Sequence, residues 1–340
     1  MAKKNFSLYI GLILFSGLLV FGCVQQSTQN YKPQTRTYYI AAEDMEWDYA
    51  PVGLAMAPEE NTAEIPWLGQ TKYQKTRFTE YTDETFSTKK EQPKWLGILG
   101  PVIRGVEGDT IKVVFYNKAS KPYSIHPHGL QYDPDNEGAG TGTGSKINPG
   151  EKFTYTWKVT KESAPTESEG GSKTWFYHSH VNAVKDIYSG LIGPIIITSK
   201  NHANNDGTPS DVDKEFVTMF FIFNESQEGM SEEETEGHLK HAINGYIFGN
   251  LPGLEMNKGN IVRWHMIGMG TEVDLHTAHW HGETVKLNET GTYTDVVELL
   301  PASMKSVDMQ ADNPGEWMFH CHVADHITAG MIATYTIKSE

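Results

Sequence analysis

The sequence predicts an all-β protein of two Greek-key β-sandwich domains. Short runs in which apolar and polar residues alternate are bounded by Gly, Pro and Asn, as expected for strands and their turns. Long helical patterns are scarce, and two histidine motifs occur once in each half of the chain, which indicates an internal repeat. At 340 residues the chain has the length for about two domains, each with its own core.

The predicted strands lie where this alternation is clearest. Residues 109–117 and 153–159 alternate, whereas 190–197 is continuously apolar and is predicted as a buried final strand of the first half. Residues 53–95 are predicted to be irregular, and 225–236 to form an acidic loop. The predicted strands are 37–42, 109–117, 153–159, 175–180 and 190–197, followed by 215–223, 260–265, 276–282 and 332–337.

The N-terminus is predicted to be an export signal and not part of the fold. Two lysines precede an apolar run over 8–21 that is too short for a confident membrane span. The run ends in a Leu-Val-Phe-Gly-Cys sequence that is similar to the lipid-attachment motif of bacterial lipoproteins. We therefore expect an exported, extracytoplasmic protein held at the membrane by lipid on Cys23. Because Phe21 is bulkier than the residue expected there, an uncleaved anchor is the alternative.

Composition divides the chain into five segments. Residues 201–213 are rich in Asn, Asp and Gly and are predicted to be a linker. The predicted segments are a signal peptide at 1–22, a polar tether at 23–36, a first domain at 37–200, the linker at 201–213 and a second domain at 214–340.

The net charge narrows the choice of binding partners, and the cysteine count limits the possible disulfides. A formal charge of −15 at pH 7 argues against nucleic acid and anionic lipid as partners. The charge is compatible with cationic substrates, although solubility explains it equally well. The chain has only two cysteines, Cys23 and Cys321. If the first carries lipid and the second binds a metal, no disulfide can form.

The residues around Cys321 have the donor set of a blue-copper site. A thiolate, an imidazole and a thioether are available from Cys321, His326 and Met331. Neighbouring side chains on an extended segment point to opposite faces, so His320 and His322 can face a different metal from Cys321. A role as core filler would explain a buried Cys or Met, but not three histidines within seven residues.

Two His-x-His motifs occur in each half of the chain. His126-x-His128 recurs as His279-x-His281, and the motif at 178–180 recurs at 320–322. Many imidazoles with few carboxylates and one thiolate favour copper over magnesium or calcium. Structural zinc requires closed sets of four ligands, which this spacing does not offer.

The repeat also predicts a difference between the two halves. Where the second half has Cys321 and Met331, the first half has Ser179 and Leu191. A hydroxyl and an aliphatic chain cannot replace a thiolate and a thioether on copper. The first domain should therefore lack a blue-copper site.

These motifs resemble those of the multicopper oxidases, over nearly the whole chain after the signal segment. The resemblance is closest to the ceruloplasmin and hephaestin type, in the stretches 177–180, 185–187, 189–194, 269–270 and 325–326. It implies cupredoxin-like domains and four coppers per chain, of which one is type 1, one type 2 and two type 3. It also implies one-electron oxidation of a substrate at the type 1 copper and four-electron reduction of O2 to water at a trinuclear centre.

The resemblance also implies a ligand set for each copper. The implied type 1 ligands are His276, Cys321, His326 and Met331. The implied type 2 ligands are His126 and His279, and the implied type 3 ligands are His128, His178, His180, His281, His320 and His322. Each domain supplies four of the eight trinuclear ligands, so the centre must form at a domain interface. The six-domain relatives close into a ring, and we therefore predict a homotrimer with trinuclear sites at subunit interfaces.

The same resemblance favours iron(II) as the reducing substrate. Ferroxidases of this type place carboxylates and one histidine beside the type 1 site. The matching positions are Glu236, His241 and Asp325, with Glu272 expected from the neighbouring subunit. Oxygen donors favour iron(III) over iron(II), so bound iron would be a better reductant. The alternative is that Glu236 lies on a solvated acidic loop, that Asp325 caps a turn and that His241 is structural.

Three other functions stay open. A laccase-like oxidase of phenols or cuprous ions would keep the same copper set. A copper nitrite reductase would carry its blue copper in the first domain and need three histidines at its type 2 copper, so the eight-His set and Ser179 argue against it. A non-enzymatic copper-binding or storage protein is the third.

His202, His238 and His265 are predicted to be structural or surface residues, with metal capture as an alternative role for His238.

Overall fold

The computed structural model describes residues 31–54, 56–57 and 70–339. Within these ranges the chain forms nineteen β-strands in four sheets, with three short α-helices. None of the helices in the described ranges is long and apolar enough to cross a membrane. The predicted signal segment and Cys23 lie outside the described residues.

The first two sheets are built from eight strands. One sheet has the order β2-β1-β4-β6 and the other has the order β3-β8-β7-β5. The strands are β1 (Thr35–Asp48), β2 (Lys72–Tyr81), β3 (Ile103–Val106), β4 (Thr110–Asn117), β5 (His126–Pro127), β6 (Lys152–Lys158), β7 (Ser172–His178) and β8 (Ile192–Thr198). Apolar side chains from both sheets, including Phe115, Trp157 and Ile195, form one core between them.

Strands β1 and β2 differ from the sequence-based expectation. Strand β1 begins two residues inside the predicted tether, where Arg36 Nε pairs with the buried Asp109 at 2.7 Å. Strand β2 lies in the region predicted to be irregular. Its alternation is concealed because two polar residues, Lys75 and Thr76, are among its buried positions.

The second half of the chain repeats this topology with extra strands. One sheet has the order β10-β9-β12-β17-β14-β15 and the other has the order β11-β19-β18-β13-β16. The strands are β9 (Lys214–Asn224), β10 (Leu239–Ile243), β11 (Glu255–Asn257), β12 (Ile261–Gly268), β13 (His276–Trp280), β14 (Val285–Leu287), β15 (Tyr293–Thr294), β16 (Val296–Leu299), β17 (Ser303–Gln310), β18 (Gly315–Cys321) and β19 (Ile332–Lys338). The order β10-β9-β12-β17 matches β2-β1-β4-β6, and β11-β19-β18-β13 matches β3-β8-β7-β5, which confirms the internal repeat.

Two of the three helices occupy equivalent places in the repeat. Helix α1 (Ala183–Ser189) precedes β8, and α3 (Ala324–Thr328) precedes β19. Helix α2 (Glu232–Gly237) lies in the segment predicted to be an acidic loop. Ser231 caps α2 and forms a capping box with Glu234, which explains why an acidic stretch becomes helical here.

A buried ionic network joins the first pair of sheets to the second. Glu215 on β9 accepts hydrogen bonds from Arg104 at 2.7 Å, Ser172 at 2.9 Å and His265 Nε2 at 2.9 Å. The second ring nitrogen of His265 contacts Ser306 Oγ at 2.8 Å. His265 is therefore a structural residue, as predicted. A shared apolar cluster also joins the two halves, with Phe176 from the first half and Met219 from the second among its members.

Candidate metal centres

Three buried side chains of the second half converge on one point. His276, Cys321 and His326 place their ligand atoms within 4.8 Å of one another. Cys321 Sγ lies 3.5 Å from His326 Nδ1, and the two imidazole centres are 5.0 Å apart. Met331 is fully buried in the core cluster that contains Cys321. The structure therefore brings together the first three predicted type 1 ligands and leaves Met331 in the same core.

The backbone of the second sandwich fixes these residues. His276 opens β13 and Cys321 closes β18, two strands that pair with each other. His326 lies on α3, and its carbonyl accepts a hydrogen bond from Met331 N at 2.9 Å. Cys321 N in turn donates to the Met331 carbonyl at 3.0 Å. Gly330, with a φ of 102°, allows the sharp turn from α3 into β19 that this arrangement needs.

The protonation states of this group suit a metal ion. His276 Nε2 contacts the Met269 carbonyl at 2.9 Å, so its proton lies on that nitrogen and the lone pair lies on Nδ1. That Nδ1 is buried without a hydrogen-bond partner in the described structure. Burial lowers the pKa of His276 to about 4 and raises the pKa of the Cys321 thiol. A bound cation would compensate for the orphaned nitrogen and for the loss of the thiol proton.

The equivalent position in the first half has the same backbone but different side chains. Ser179 N donates to the Leu191 carbonyl at 3.0 Å, and Leu191 N to the Asp186 carbonyl at 3.1 Å, as in the second half. By this correspondence Asp186 replaces His326, and Tyr123, three residues before His126, replaces His276. Ser179 Oγ donates to Asp186 Oδ2 at 2.7 Å. A hydrogen-bonded polar pair thus occupies the position of the thiolate. The repeat in the sequence predicts the replacements at Ser179 and Leu191, but not those at Asp186 and Tyr123.

Four histidines of the first half cluster on or directly after β5 and β7. His128 Nε2 lies 3.2 Å from His178 Nε2, and His126, His128 and His178 form a group with ligand atoms within 4.8 Å. The fourth ring, His180, lies 5.2 Å from the centre of the His126 ring. We call these four residues the first half-site.

The second half of the chain repeats the cluster. His281 Nε2 lies 3.0 Å from His320 Nε2, and His279 completes a group within 4.8 Å. The His322 ring lies 5.2 Å from that of His279. We call these four residues the second half-site. It borders an open groove that is lined in part by Trp280, Gly282 and Asp295.

Backbone carbonyls orient one half of these rings. Four Nδ1 atoms lie within hydrogen-bond distance of a carbonyl, which leaves each Nε2 with its lone pair. The contacts are His126 to Glu137 at 2.7 Å, His178 to Ser179 at 2.9 Å, His279 to Asp295 at 2.9 Å and His320 to Cys321 at 2.7 Å. Burial lowers the pKa of His178 to about 3 and that of His320 to about 4, so both rings are neutral at pH 7.

The two half-sites do not meet within one chain. Across the described residues, no ring contact or hydrogen bond joins a histidine of one half-site to a histidine of the other. His180 and His322 are exposed. Each half-site is therefore open on one side, and neither is a closed metal site by itself.

The structure does not bring the four predicted iron-site residues together into one group. His241 is 9% exposed, its ring centre lies 5.4 Å from that of His326, and its Nδ1 has no hydrogen-bond partner in the described structure. Asp325 is exposed and directly precedes His326. Glu236 on α2 and Glu272 are exposed as well. None of the groups with ligand atoms within 4.8 Å in the described structure contains these four residues.

The two remaining histidines have other surroundings. His238 Nδ1 lies 2.9 Å from the Tyr73 hydroxyl, and His202 ends a short 3₁₀ turn, Lys200–His202. Neither histidine belongs to a group of metal-ligating side chains in the described ranges.

Two family models and several known proteins are similar to this chain in sequence. Two family models, both described as multicopper oxidase, match residues 80–202 and 222–340. Ferroxidase HEPHL1 of Homo sapiens is 39% identical over 90% of this chain, and hephaestin of Mus musculus is 38% identical over 93%. Ceruloplasmin of Homo sapiens is 37% identical over 89% of the chain. The matches cover 29%, 30% and 30% of those relatives, so the chain spans less than a third of their length.

Solved structures share the fold. A multicopper oxidase crystal structure superposes with a TM-score of 0.62 at 22% identity, covering 89% of each chain. A blue copper oxidase from Nitrosomonas europaea superposes with a TM-score of 0.61 at 24% identity, covering 90% of this chain and 86% of that one. These similarities confirm the predicted cupredoxin-like all-β architecture.

Proposed function

The chain belongs to the multicopper oxidase family, and we propose that it is a ferroxidase that couples oxidation of iron(II) to reduction of dioxygen. The observation that carries this proposal is the position of His241. Its ring lies beside His326, at the edge of the buried group formed with His276 and Cys321. An oxidisable cation held by His241 would therefore lie next to the predicted type 1 ligands.

The donor set of each cluster fits copper. The buried group offers a thiolate and two imidazole nitrogens, and the half-sites offer only imidazoles, which copper accepts well. We assign His276, Cys321, His326 and Met331 to a type 1 copper, and the eight half-site histidines to the type 2 and type 3 coppers. Copper at these positions would supply one-electron transfer and the reduction of dioxygen.

Strand β18 links the two kinds of site. His320 is the sixth residue of this strand and Cys321 the last, and His322 follows directly. Their side chains alternate, so Cys321 points into the core while His320 and His322 belong to the second half-site. The covalent path from Cys321 Sγ to either histidine ring therefore crosses a single peptide bond.

The residues proposed for iron would bind the substrate and orient it. Burial lowers the pKa of His241 to about 3, so its ring is a neutral ligand at pH 7. Asp325 and Glu236 would add carboxylate oxygens, which favour the iron(III) product. Glu272 would come from a neighbouring copy. One of the relatives bears the name ferroxidase, which supports the same substrate.

We also propose that the active form is a homotrimer. Each half-site presents four histidines and is open on one side, and the two do not meet within the described part of a chain. A head-to-tail contact between copies would bring a first half-site against a second half-site. Such a heterologous contact closes into a ring when the rotation between copies allows it.

Export and lipid attachment at Cys23 complete the proposed function. The sequence of residues 1–23 supports both. Metabolic labelling with a radioactive fatty acid would show lipid on the wild type and none on a Cys23→Ala variant.

Replacement of Glu236 tests the choice of substrate. We expect the Glu236→Ala variant to lose about tenfold or more in kcat/KM for iron(II), because a carboxylate ligand of the substrate is gone. Its kcat/KM for an organic phenol should stay within about twofold. The matched control is Glu228→Ala, which removes another exposed acid of the same segment. Equal loss for both substrates, or no loss for iron(II), would contradict the proposal; the second result would favour a laccase-like oxidase.

A further inference from the structure

The segment from Glu225 to His238 carries Glu236 and is closed at its base. Leu239 pairs with Asn224 between β10 and β9, and Glu225 N donates to the His238 carbonyl at 3.0 Å. The described side chains of the segment are exposed or half-buried. Its position relative to His241 therefore depends on what contacts its two ends.

Both ends contact strand β2 of the first sandwich. The Tyr73 hydroxyl lies 2.9 Å from His238 Nδ1, and the two rings meet edge to face at 5.9 Å. Burial and the charge of Glu225 raise the pKa of Tyr73 to about 12, so the hydroxyl keeps its proton at pH 7. Two residues further, Lys75 Nζ pairs with the Glu225 carboxylate. Residues two apart on a strand share one face, so a single face of β2 reaches both ends.

The Lys75–Glu225 pair is buried and well supported. Lys75 is 3% exposed, and its Nζ also donates to the Tyr188 carbonyl at 2.5 Å. Its ammonium group lies 4.7 Å from the centre of the Phe223 ring. Tyr49 donates its hydroxyl to the same Glu225 carboxylate. Because removal of one partner would leave an uncompensated buried charge, this end of the segment is firmly held.

A third contact joins the helix of the segment to the same face. Lys240 Nζ donates to the Gly237 carbonyl at 3.1 Å, at the end of α2 and one residue after Glu236. The same ammonium group lies 5.8 Å from the centre of the Tyr73 ring. Tyr73 thus lies beside the end of the helix that carries Glu236.

We infer that Tyr73 and Lys75 are positioning residues for the proposed iron site. They hold the 225–238 segment from both ends, and in this way they set the distance between Glu236 and His241. Neither residue would touch the substrate. The inference rests on the proposed ferroxidase function, and it assigns to a strand of the first sandwich a role in a site of the second.

The Tyr73→Phe variant tests this role with two measurements. Loss of the hydrogen bond to His238, at about 1 kcal/mol, should speed amide hydrogen exchange in residues 226–237 by about fivefold. The KM for iron(II) should rise by a similar factor while kcat changes little, because the Glu236 carboxylate is misplaced but the proposed copper ligands are intact. The matched control is Tyr38→Phe, which removes a tyrosine hydroxyl that donates to the Arg104 carbonyl at 2.8 Å and should change neither value.

The outcomes separate this inference from the proposed function. Unchanged exchange in Tyr73→Phe, or faster exchange with an unchanged KM, would overturn the inference. Equal changes in Tyr38→Phe would overturn it as well. If Tyr73→Phe does not fold, His238→Phe removes the same bond from the other side, keeps an aromatic ring beside Tyr73, and should give the same pair of changes. A wild type that does not oxidise iron(II) would instead contradict the proposed function. The exchange data would then still test whether β2 restrains the 225–238 segment.

Discussion

Cys321 and Ser179 hold equivalent positions at the ends of matching strands, and the backbone hydrogen bonds around them agree within about 0.2 Å. The difference between a metal site and a closed hydrogen bond lies in side chains alone. At Cys321 the neighbours are the imidazoles of His276 and His326, whereas at Ser179 the neighbour is the Asp186 carboxylate. One fold thus carries either arrangement.

We expect the Cys321→Ser variant to lose the blue absorption band and to bind three coppers per chain, against four in the wild type. Serine is close in size to cysteine, so the core should remain folded, but its hydroxyl is a poor copper ligand. Metal analysis and visible absorption of the loaded protein check both points.

The matched control is Ser179→Cys, which introduces a thiol at the equivalent place. It should gain no blue band, because Asp186, Tyr123 and Leu191 still occupy the positions of the other three ligands. A blue band in this variant, or its survival in Cys321→Ser, would contradict the assignment.

Motif spacing was sufficient to predict most of the side chains that the structure brings into clusters, because His-x-His on a strand places both rings on one face. Spacing did not reveal Asp186 or Tyr123, since neither belongs to a recognisable motif. Nor could it show that His276 contacts a carbonyl through Nε2 and keeps Nδ1 free, which depends on the tertiary position of Met269.

At the scale of elements, the prediction of secondary structure from the sequence was wrong where polar residues are buried. Strand β2 was predicted to be irregular because Lys75 and Thr76 occupy buried positions that usually hold apolar residues. Those side chains are buried by contacts with residues more than thirty positions away, among them Glu225 and Asp44. The alternation of apolar and polar residues within a strand does not predict such long-range contacts.

Strand β9 contributes a buried carboxylate that should make stability depend on pH. Burial raises the pKa of Glu215, but the hydrogen bond from His265 and the charge of Arg104 outweigh it and hold the pKa at about 2. Because this value lies below the ordinary one of 4.5, the carboxylate stabilises the fold above about pH 4.5 and loses that contribution as the pH falls toward 2.

The Glu215→Gln variant should therefore lose about 3 kcal/mol of unfolding free energy at pH 7, and much less at pH 3. Chemical unfolding at both values measures the difference. Glu298→Gln is the control, because its carboxylate is 71% exposed and its pair with Lys305 lies at the surface. Equal losses for Glu215→Gln at the two pH values would show that charge is not the source of its contribution.

At the scale of the whole molecule, the sequence predicted an all-β fold and an internal repeat, and the structure and its relatives bear this out. The repeat was visible because chemistry and topology recur together, with two His-x-His motifs in each sandwich. The packing of one sandwich on the other was not visible, since Arg104, Glu215 and His265 lie far apart in sequence and outside any motif.

The two half-sites do not meet within the described part of one chain, so the proposed oxygen-reducing centre would form between copies. Co-expression of a His128→Ala chain and a His281→Ala chain, each with its own tag, tests this directly. Each variant alone lacks one half-site at every interface and should be inactive. A mixed trimer has one interface that joins an intact first half-site to an intact second half-site.

The decisive measurement is the oxygen consumption of mixed oligomers purified through both tags. If the centres form between copies, the mixed trimers should recover about one third of the wild-type rate per trimer. If each chain builds its own centre, the mixture should remain as inactive as either variant alone, which would contradict a centre shared between copies.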